Sequence, residues 1–433
     1  MTDPRTLLDT APMRPAQIVA IAVTVGLNAI DGFDVLSISF ASPLIARDWG
    51  VDRASLGAIL SMELIGMALG SLMLGGVADR HGRRPTIIGC LAVMAAGMAG
   101  AATAGSIGAL AGWRLLTGLG IGGMLAAINA MAAELSNDRW RALSLSLMVI
   151  GYPLGAIIGG LAAIMLLGSG DWRPVFVFGA AITLLFVPLV WWTLPESPAF
   201  LAMRQPSGAL HRLNHSLARL GHGAVSALPE LVATAPRATL SDLLAPQLRR
   251  TTLLITAAYF AHIVTFYFIL KWIPKIVVDM GFAATAAGGV LVWANVGGAA
   301  GGAVFGLCAQ RLGLKRLTIA VLAGSASMVM VFGSGQSDLA RLALVAAAAG
   351  FFTNAGVAGL YSLFAQAFPT SLRATGTGFA VGVGRGGAAL APWLAGLLFQ
   401  AGLDLQPVAI IMATGSIVGV SALLLLRLRV SAL

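Results

Sequence analysis

Gly75-Gly76-Val77-Ala78-Asp79-Arg80-His81-Gly82-Arg83-Arg84 closes one long apolar run and opens the next. Gly82 permits a tight turn. Asp79 can accept hydrogen bonds from helix N-terminal amides or pair with a nearby Arg. The arginines hold the turn at a membrane face. A second copy begins at Gly306: Gly75, Arg80 and Gly82 recur as Gly306, Arg311 and Gly313, each 231 residues later. Gln310 stands where the first copy has Asp79, so the second turn lacks its acid.

The composition around these turns selects the solvent. Of 433 residues, 58% are hydrophobic and 10% charged, with a mean hydropathy of +0.89. Soluble domains carry about 25% charged residues, so this chain cannot cover a water-facing surface. The 54 glycines agree, because small residues let membrane helices approach closely. Met1 to Ala16 is polar and contains proline, without an apolar run and small-residue cleavage site. The first apolar segment, from near Gln17, is therefore expected to remain in the mature protein. Cys90 and Cys308 lie in apolar segments and read as small packing residues rather than a disulfide or metal pair. The net charge of +10 is spread in short clusters between apolar runs, a pattern of membrane topology and not of nucleic-acid binding.

A span needs about 20 mostly apolar residues. Twelve segments qualify: 17–45, 55–78, 86–107, 109–133, 142–167, 174–194, 251–275, 284–309, 316–335, 339–364, 372–400 and 405–427. With both termini cytoplasmic, inner segments hold nineteen Lys and Arg residues. The outer positions hold six: Arg47, Arg53, Arg173, Lys271, Lys275 and Arg341. Arg114 and Arg385 fall inside spans. The excess of inner cations supports that orientation in a bacterial-type inner membrane.

The repeat extends through several spans. Pro43, Asp48 and Gly50 recur as Pro274, Asp279 and Gly281 at the same offset of 231, and Arg141 recurs as Arg373 at 232. The expected architecture is an all-α membrane protein of twelve transmembrane helices in two pseudo-symmetric six-helix bundles. The bundles are expected at 1–195 and 251–433, with a cytoplasmic central loop at 196–250. Parallel repeats of this kind place a substrate site near midplane between the halves. His211, His215 and His222 lie in the central loop without carboxylate or thiol partners and read as solvated, not metal-binding.

Three further stretches carry chemistry. Span 4 contains Arg114-Leu115-Leu116-Thr117-Gly118-Leu119-Gly120-Ile121-Gly122, an intramembrane Arg followed by alternating glycines, and ends near Glu134 and Arg141. Leu194-Pro195-Glu196-Ser197-Pro198 follows span 6. Span 1 contains Asp31-Gly32-Phe33-Asp34, two acids on one helix face. Asp31 lies roughly 20 Å into its helix, a depth at which a charge is costly and usually functional.

The Gly75–Arg84 turn resembles the loop signature of the major facilitator superfamily. The Asp31-Gly32-Phe33-Asp34 segment, with Pro43 and Gly50 beyond it, resembles the superfamily's aromatic acid:proton symporter family. Trp272-Ile273-Pro274, Arg373-Ala374-Thr375-Gly376 and Gly384-Arg385-Gly386 are similar to that family too, so the resemblance covers almost the whole chain. Span 4 departs from it, reading Leu125-Ala126-Ala127 where many members have a Met-Pro-Asn-like stretch. The resemblance implies proton-driven uptake of small, benzoate-like acids by alternating access. It assigns Asp31, Asp34 and Arg114 to proton coupling and Arg385 to the substrate. It makes Gly75, Asp79, Arg80, Gly82, Arg83, Arg84, Glu134 and Arg141 a conformational latch.

The chemistry agrees. An acid in a dry cavity needs a cation, and Arg can hold a carboxylate through two hydrogen bonds. Proton coupling needs a carboxyl whose proton affinity changes with its surroundings. The repeat adds His262, 231 residues after Asp31, as a titratable partner in span 7. Tyr259, Tyr267, Trp293, Asn295, Asn354 and Tyr361 could line an aromatic site, although such residues as a class more often pack helices, and Tyr267, Asn295 and Asn354 complete the candidate substrate contacts; Glu63 inside span 2 reads as structural or gating.

The expected partners are a small organic acid, protons and the bilayer, with no cofactor, metal or nucleic acid, and a monomeric chain. Gly151-Tyr152-Pro153-Leu154-Gly155 in span 5 is related to an antiporter motif and keeps a major facilitator exporter of drugs or metabolites as the alternative. No nucleophile–base set, nucleotide loop or metal cage supports an enzyme. A transporter-like sensor would bind ligand without flux.

Overall fold

The computed structural model describes residues 4–229, 239–369 and 372–426. Among the described residues it consists of sixteen helices and no strands. After a short α1 (Pro4–Thr10) come α2 (Pro15–Trp49), α3 (Arg53–His81), α4 (Arg83–Ala102), α5 (Ile107–Glu134), α6 (Asp138–Leu167) and α7 (Arg173–Thr193). Three short helices follow: α8 (Pro198–Arg204), α9 (Ala209–Arg219) and α10 (Leu240–Leu243). The chain then forms α11 (Arg249–Asp279), α12 (Ala284–Leu312), α13 (Leu314–Gly333), α14 (Leu339–Ala367), α15 (Arg373–Gln400) and α16 (Leu405–Leu425). The helices α2–α7 and α11–α16 are the twelve long and apolar enough to cross a membrane. Each expected span falls on one of them, and the chain is a multi-pass membrane protein.

The sequence repeat is written into the helix ends. α3 and α12 both have 29 residues, and their ends lie 231 residues apart. α4 and α13 both have 20 residues at the same offset. The glycines at the matching breaks share an unusual backbone: φ is +109° at Gly82 and +78° at Gly313, +60° at Gly50 and +97° at Gly281. A side chain is strained in that region, so only glycine turns the chain there cheaply. Elsewhere polar caps start the helices: Ser106 accepts from Ala109 N at the head of α5, and Asp338 from Arg341 N at the head of α14.

The chain packs as two compact units, which cut across several helices. Of the described residues, one contains 4–35, 66–158 and 173–229; the other contains 36–65, 159–172, 239–369 and 372–426. In the first unit, glycines bring α6 onto α2 at backbone contact. A Cβ on Gly155 would sit 1.8 Å from the Ala29 carbonyl oxygen, and one on Gly151 2.3 Å from that of Val25. Gly32 reciprocates, with Tyr152 O 2.0 Å from where its Cβ would be. The Gly151–Gly155 stretch thus has a packing role whatever the direction of transport. In the second unit, Gly57 of α3 and Gly396 of α15 face each other in the same way, and Gly160 and Gly288 make room for Phe40.

The central stretch is more structured than its composition suggests. α8 and α9 bury Phe200, Leu201, Leu213 and Leu217 against Leu8 of α1. His222 hydrogen-bonds Gln17 Oε1 at 3.0 Å. The polar residues that make this stretch look like a linker occupy the outer faces of a small amphipathic cap.

Gly155→Ala should lower stability by about 1–3 kcal/mol, the cost of overpacking a tight helix contact. Gly112→Ala, where nothing lies within 4 Å, is the control and should gain stability slightly. Thermal unfolding of both purified variants in detergent checks this.

Candidate functional site

The first unit buries the span 1 acids completely. Asp31, Asp34 and Arg114 all have zero exposure. Arg114 donates from Nη2 to the Asp34 carbonyl oxygen at 2.7 Å and from Nη1 to Met98 Sδ at 2.9 Å. Its guanidinium lies 5.5 Å from the centre of the Phe176 ring. Gly179 on α7 leaves the space in which Phe33, Asp34 and Met98 meet: a Cβ there would be 3.3 Å from Asp34 Oδ1 and 2.0 Å from Met98 Cε. Asp31 lies within electrostatic range of the Cys90 thiol. Asp34 and Arg114 thus share one tightly filled core, and Asp31 is buried about one turn along α2, where charge interactions are strong.

The second unit carries an aromatic group near Arg385. Tyr259 donates to the Tyr361 hydroxyl at 3.3 Å, and both rings pack edge-on against Phe364. The Arg385 charge bears on the Tyr259 hydroxyl. Gly384 lets Tyr259 lie against the α15 backbone. Tyr267 is half-buried and stacks edge-on against Phe266. Asn354 is half-buried, with its amide against Gly298. Asn295 is buried and donates to Leu291 O of its own helix at 2.8 Å.

His262 is fully buried among α11, α14 and α16. Its Nε2 lies 2.9 Å from the Thr353 carbonyl oxygen and its Nδ1 2.9 Å from Ser416 Oγ. A carbonyl only accepts, so Nε2 carries a proton. The ring ties three helices together.

One charge lies where the sequence reading did not put it. Lys271, counted among outer cations, is fully buried inside α11, and its Nζ stands 3.4 Å from Oε2 of the equally buried Glu63 on α3. The signal was present, since both residues fall within expected spans, but no motif joins positions 208 residues apart.

The Gly75–Arg84 turn forms a polar knot in the first unit. Gly75 lies in α3, and its surroundings fall outside the described residues. Arg83 pairs with Asp79 at 3.0 Å and with Glu134 at 3.1 Å. Arg84 donates to Trp191 O at 2.6 Å, and Arg80 is exposed. Arg141 bonds Asp9, Asp138 and the Ala133 carbonyl. The amides at the head of α4 are satisfied not by Asp79 but by Glu196, whose Oε1 accepts from Arg83 N at 2.9 Å and Arg84 N at 3.4 Å, and also from Ser197 N at 2.9 Å. Ser197 in turn donates to Glu134. Glu196 was visible in its Pro-Glu-Ser-Pro stretch, but its target 113 residues earlier was not.

Among the described residues, twelve helices long and apolar enough to span a membrane, with buried charges of both signs, make this a polytopic membrane protein. Residues 24–332 match the family model of the Major Facilitator Superfamily. The chain belongs to that superfamily and is one of its transporters. It is 30% identical to the 3-(3-hydroxy-phenyl)propionate transporter of Escherichia coli (strain K12), covering 94% of both chains. It is 29% identical to the gallate transporter of Pseudomonas putida, over 93% of this chain and 90% of the relative. The 4-hydroxybenzoate transporter of Pseudomonas putida is 28% identical, over 94% and 91%. The crystal structure of a D-xylose-proton symporter shares the fold, with a TM-score of 0.73 at 19% identity over 94% of this chain and 96% of that one.

Burial pushes the Glu196 carboxyl above its ordinary value of 4.5, although three main-chain amides favour its charged form. The folded protein then holds this proton more tightly than the unfolded chain. The stability it contributes is present below about pH 4.5 and is lost as pH rises through the raised value. Thermal unfolding followed across that range should show a slope that Glu196→Gln flattens.

Proposed function

We propose that this transporter imports small aromatic carboxylic acids together with protons, by alternating access, across a bacterial-type inner membrane with both termini cytoplasmic. The observation that carries the reading is the buried Asp31, Asp34 and Arg114 group. Acids held in a dry core change proton affinity when water or a cation approaches or leaves. Coupling follows if that core is wet in one state and dry in the other. The relatives named as transporters of gallate, 4-hydroxybenzoate and hydroxyphenylpropionate support the substrate class.

In this reading Arg385 holds the substrate carboxylate, and Tyr259 and Tyr361 offer ring faces and hydroxyls. Tyr267, Asn295 and Asn354 contribute to the lining, and His262 positions α11, α14 and α16. The polar knot around Arg83 is the cytoplasmic latch. Segments 1–195 and 251–433 are the repeat halves, with 196–250 as the cytoplasmic cap between them, in a chain that works as a monomer within the bilayer.

Purified protein in liposomes, with a pH step acidic outside, tests this with labelled benzoate, 4-hydroxybenzoate and gallate. Accumulation of at least one acid should follow the pH step and collapse with a protonophore. Efflux driven by the same step would instead favour an exporter. Asp31→Asn and Asp34→Asn should each abolish accumulation at matched protein levels; accumulation at the parent level would remove them from coupling. Arg385→Ala should weaken binding of an acid by at least about tenfold while sparing its neutral amide, and Arg385→Lys should recover part of the loss. Equal loss for acid and amide would rule out a carboxylate clamp.

A further inference from the structure

The buried ion pair between Glu63 and Lys271 has no place in that scheme. Both side chains are wholly buried, on helices that the sequence repeat assigns to different halves. A buried ion pair is a poor stabiliser, because packed apolar side chains of similar size hold a core equally well. Its distinctive property is that it is dry or broken: once water reaches it, both ions are solvated and the attraction fades.

The surroundings form a stack of ties within one compact unit. Arg53 of α3 pairs with Asp279 of α11 at 3.3 Å, and Lys275 bonds the same acid. Gly57 and Gly396 meet at backbone contact. Trp272 donates to Pro392 O at 3.1 Å and packs against Phe399, over which Arg53 also lies. Beyond these ties is a cavity of about 700 Å³ lined by Arg47, Arg53 and Lys275 among others. Lys271 sits one helical turn further into α11 than Lys275. Arg47, Arg53 and Lys275 line the mouth with Asp52; Arg53 and Lys275 are paired with Asp279, and a fourth cation, Lys271, lies behind the ties.

We propose that Glu63 and Lys271 form a dry lock holding the outer half of the second span on α11 and α15, and that Lys271, once the lock opens to water, docks the carboxylate of the incoming acid. The docking half rests on the orientation and substrate class proposed above; the lock half does not need the substrate. Glu63 is the resident carboxylate, and the substrate's carboxylate takes its place on the ammonium. Lysine suits this exchange, as a mobile point charge on a flexible stem.

Two measurements decide it. In a chain carrying Leu60→Cys, with Cys90→Ala and Cys308→Ala, a membrane-impermeant maleimide is applied to the outer face. Leu60 is fully buried and lies one turn outward of Glu63. Glu63→Gln and Lys271→Gln should each speed labelling about tenfold, because each leaves one buried charge without its counter-ion. The reversed pair Glu63→Lys/Lys271→Glu should label slowly again, which separates a broken lock from a misfolded chain. Single variants that label at the parent rate, or a reversed pair as fast as the singles, overturn the lock.

For docking, Glu63→Gln is compared with Glu63→Gln/Lys271→Gln, both lacking the lock. The first should bind benzoate about tenfold more tightly, while benzamide binds both alike. Equal benzoate affinities, or equal losses for benzamide, overturn docking at Lys271. If benzoate and the other acids bind to neither variant nor parent, the acid reading falls, and the labelling rates still decide the lock.

Discussion

The cost of keeping charge out of water governs this molecule. Among the described residues of its spans, five charged side chains are fully buried: Asp31, Asp34, Glu63, Arg114 and Lys271. Each would lower the stability of a helix bundle if left alone in hydrocarbon. They fall into two sets, one within each compact unit, and each set contains both signs. Most other charges lie at helix ends, in the central cap or in the turns. A chain that spends so few charges overall places these five where their energy depends most on water. That one variable is what the proposed alternating-access cycle would change.

The glycines make such placement possible. Asp31 and Asp34 flank Gly32, whose missing side chain lets the Tyr152 carbonyl touch the α2 backbone. The acid segment is therefore held by main chain, not by adaptable side chains. Gly179 admits Met98 and Phe33 beside Asp34 in the same way. Between membrane helices, such close approach replaces the hydrophobic drive that lipid cannot supply. The same rigidity fixes the distance between Arg114 and the acid segment.

Periodicity and composition made the spans legible, because twenty apolar residues have little other use. The repeat was legible because glycines with positive φ and prolines are costly to move, and Gly50, Gly82, Gly281 and Gly313 mark it still. Side-chain partners across helices were not. Glu196 reaches the head of α4, and Lys271 reaches Glu63, through contacts that no local spacing encodes. Register also failed to give direction. It placed His262 at Asp31's equivalent position, but not that its ring points to Thr353 and Ser416. A shift of 231 preserves place along a helix; the rotamer answers to the neighbours.

That limit explains which features repeat and which do not. The shift of 231 carries Asp34 onto Thr265 and Glu63 onto Ala294, and brings Lys271 back onto Phe40. The turns, glycines and helix lengths are duplicated, while the buried charges are not. Thr265 uses its hydroxyl on Met412 O, and Phe40 fills the space beside Gly160 and Gly288. Duplicating the scaffold costs nothing, since each half must turn and pack in the same way. Duplicating the buried charges would double a desolvation penalty without adding a second function. Each half therefore keeps the backbone of its counterpart without its buried charges, and one compact unit carries the acid pair with Arg114 while the other carries the Glu63–Lys271 pair.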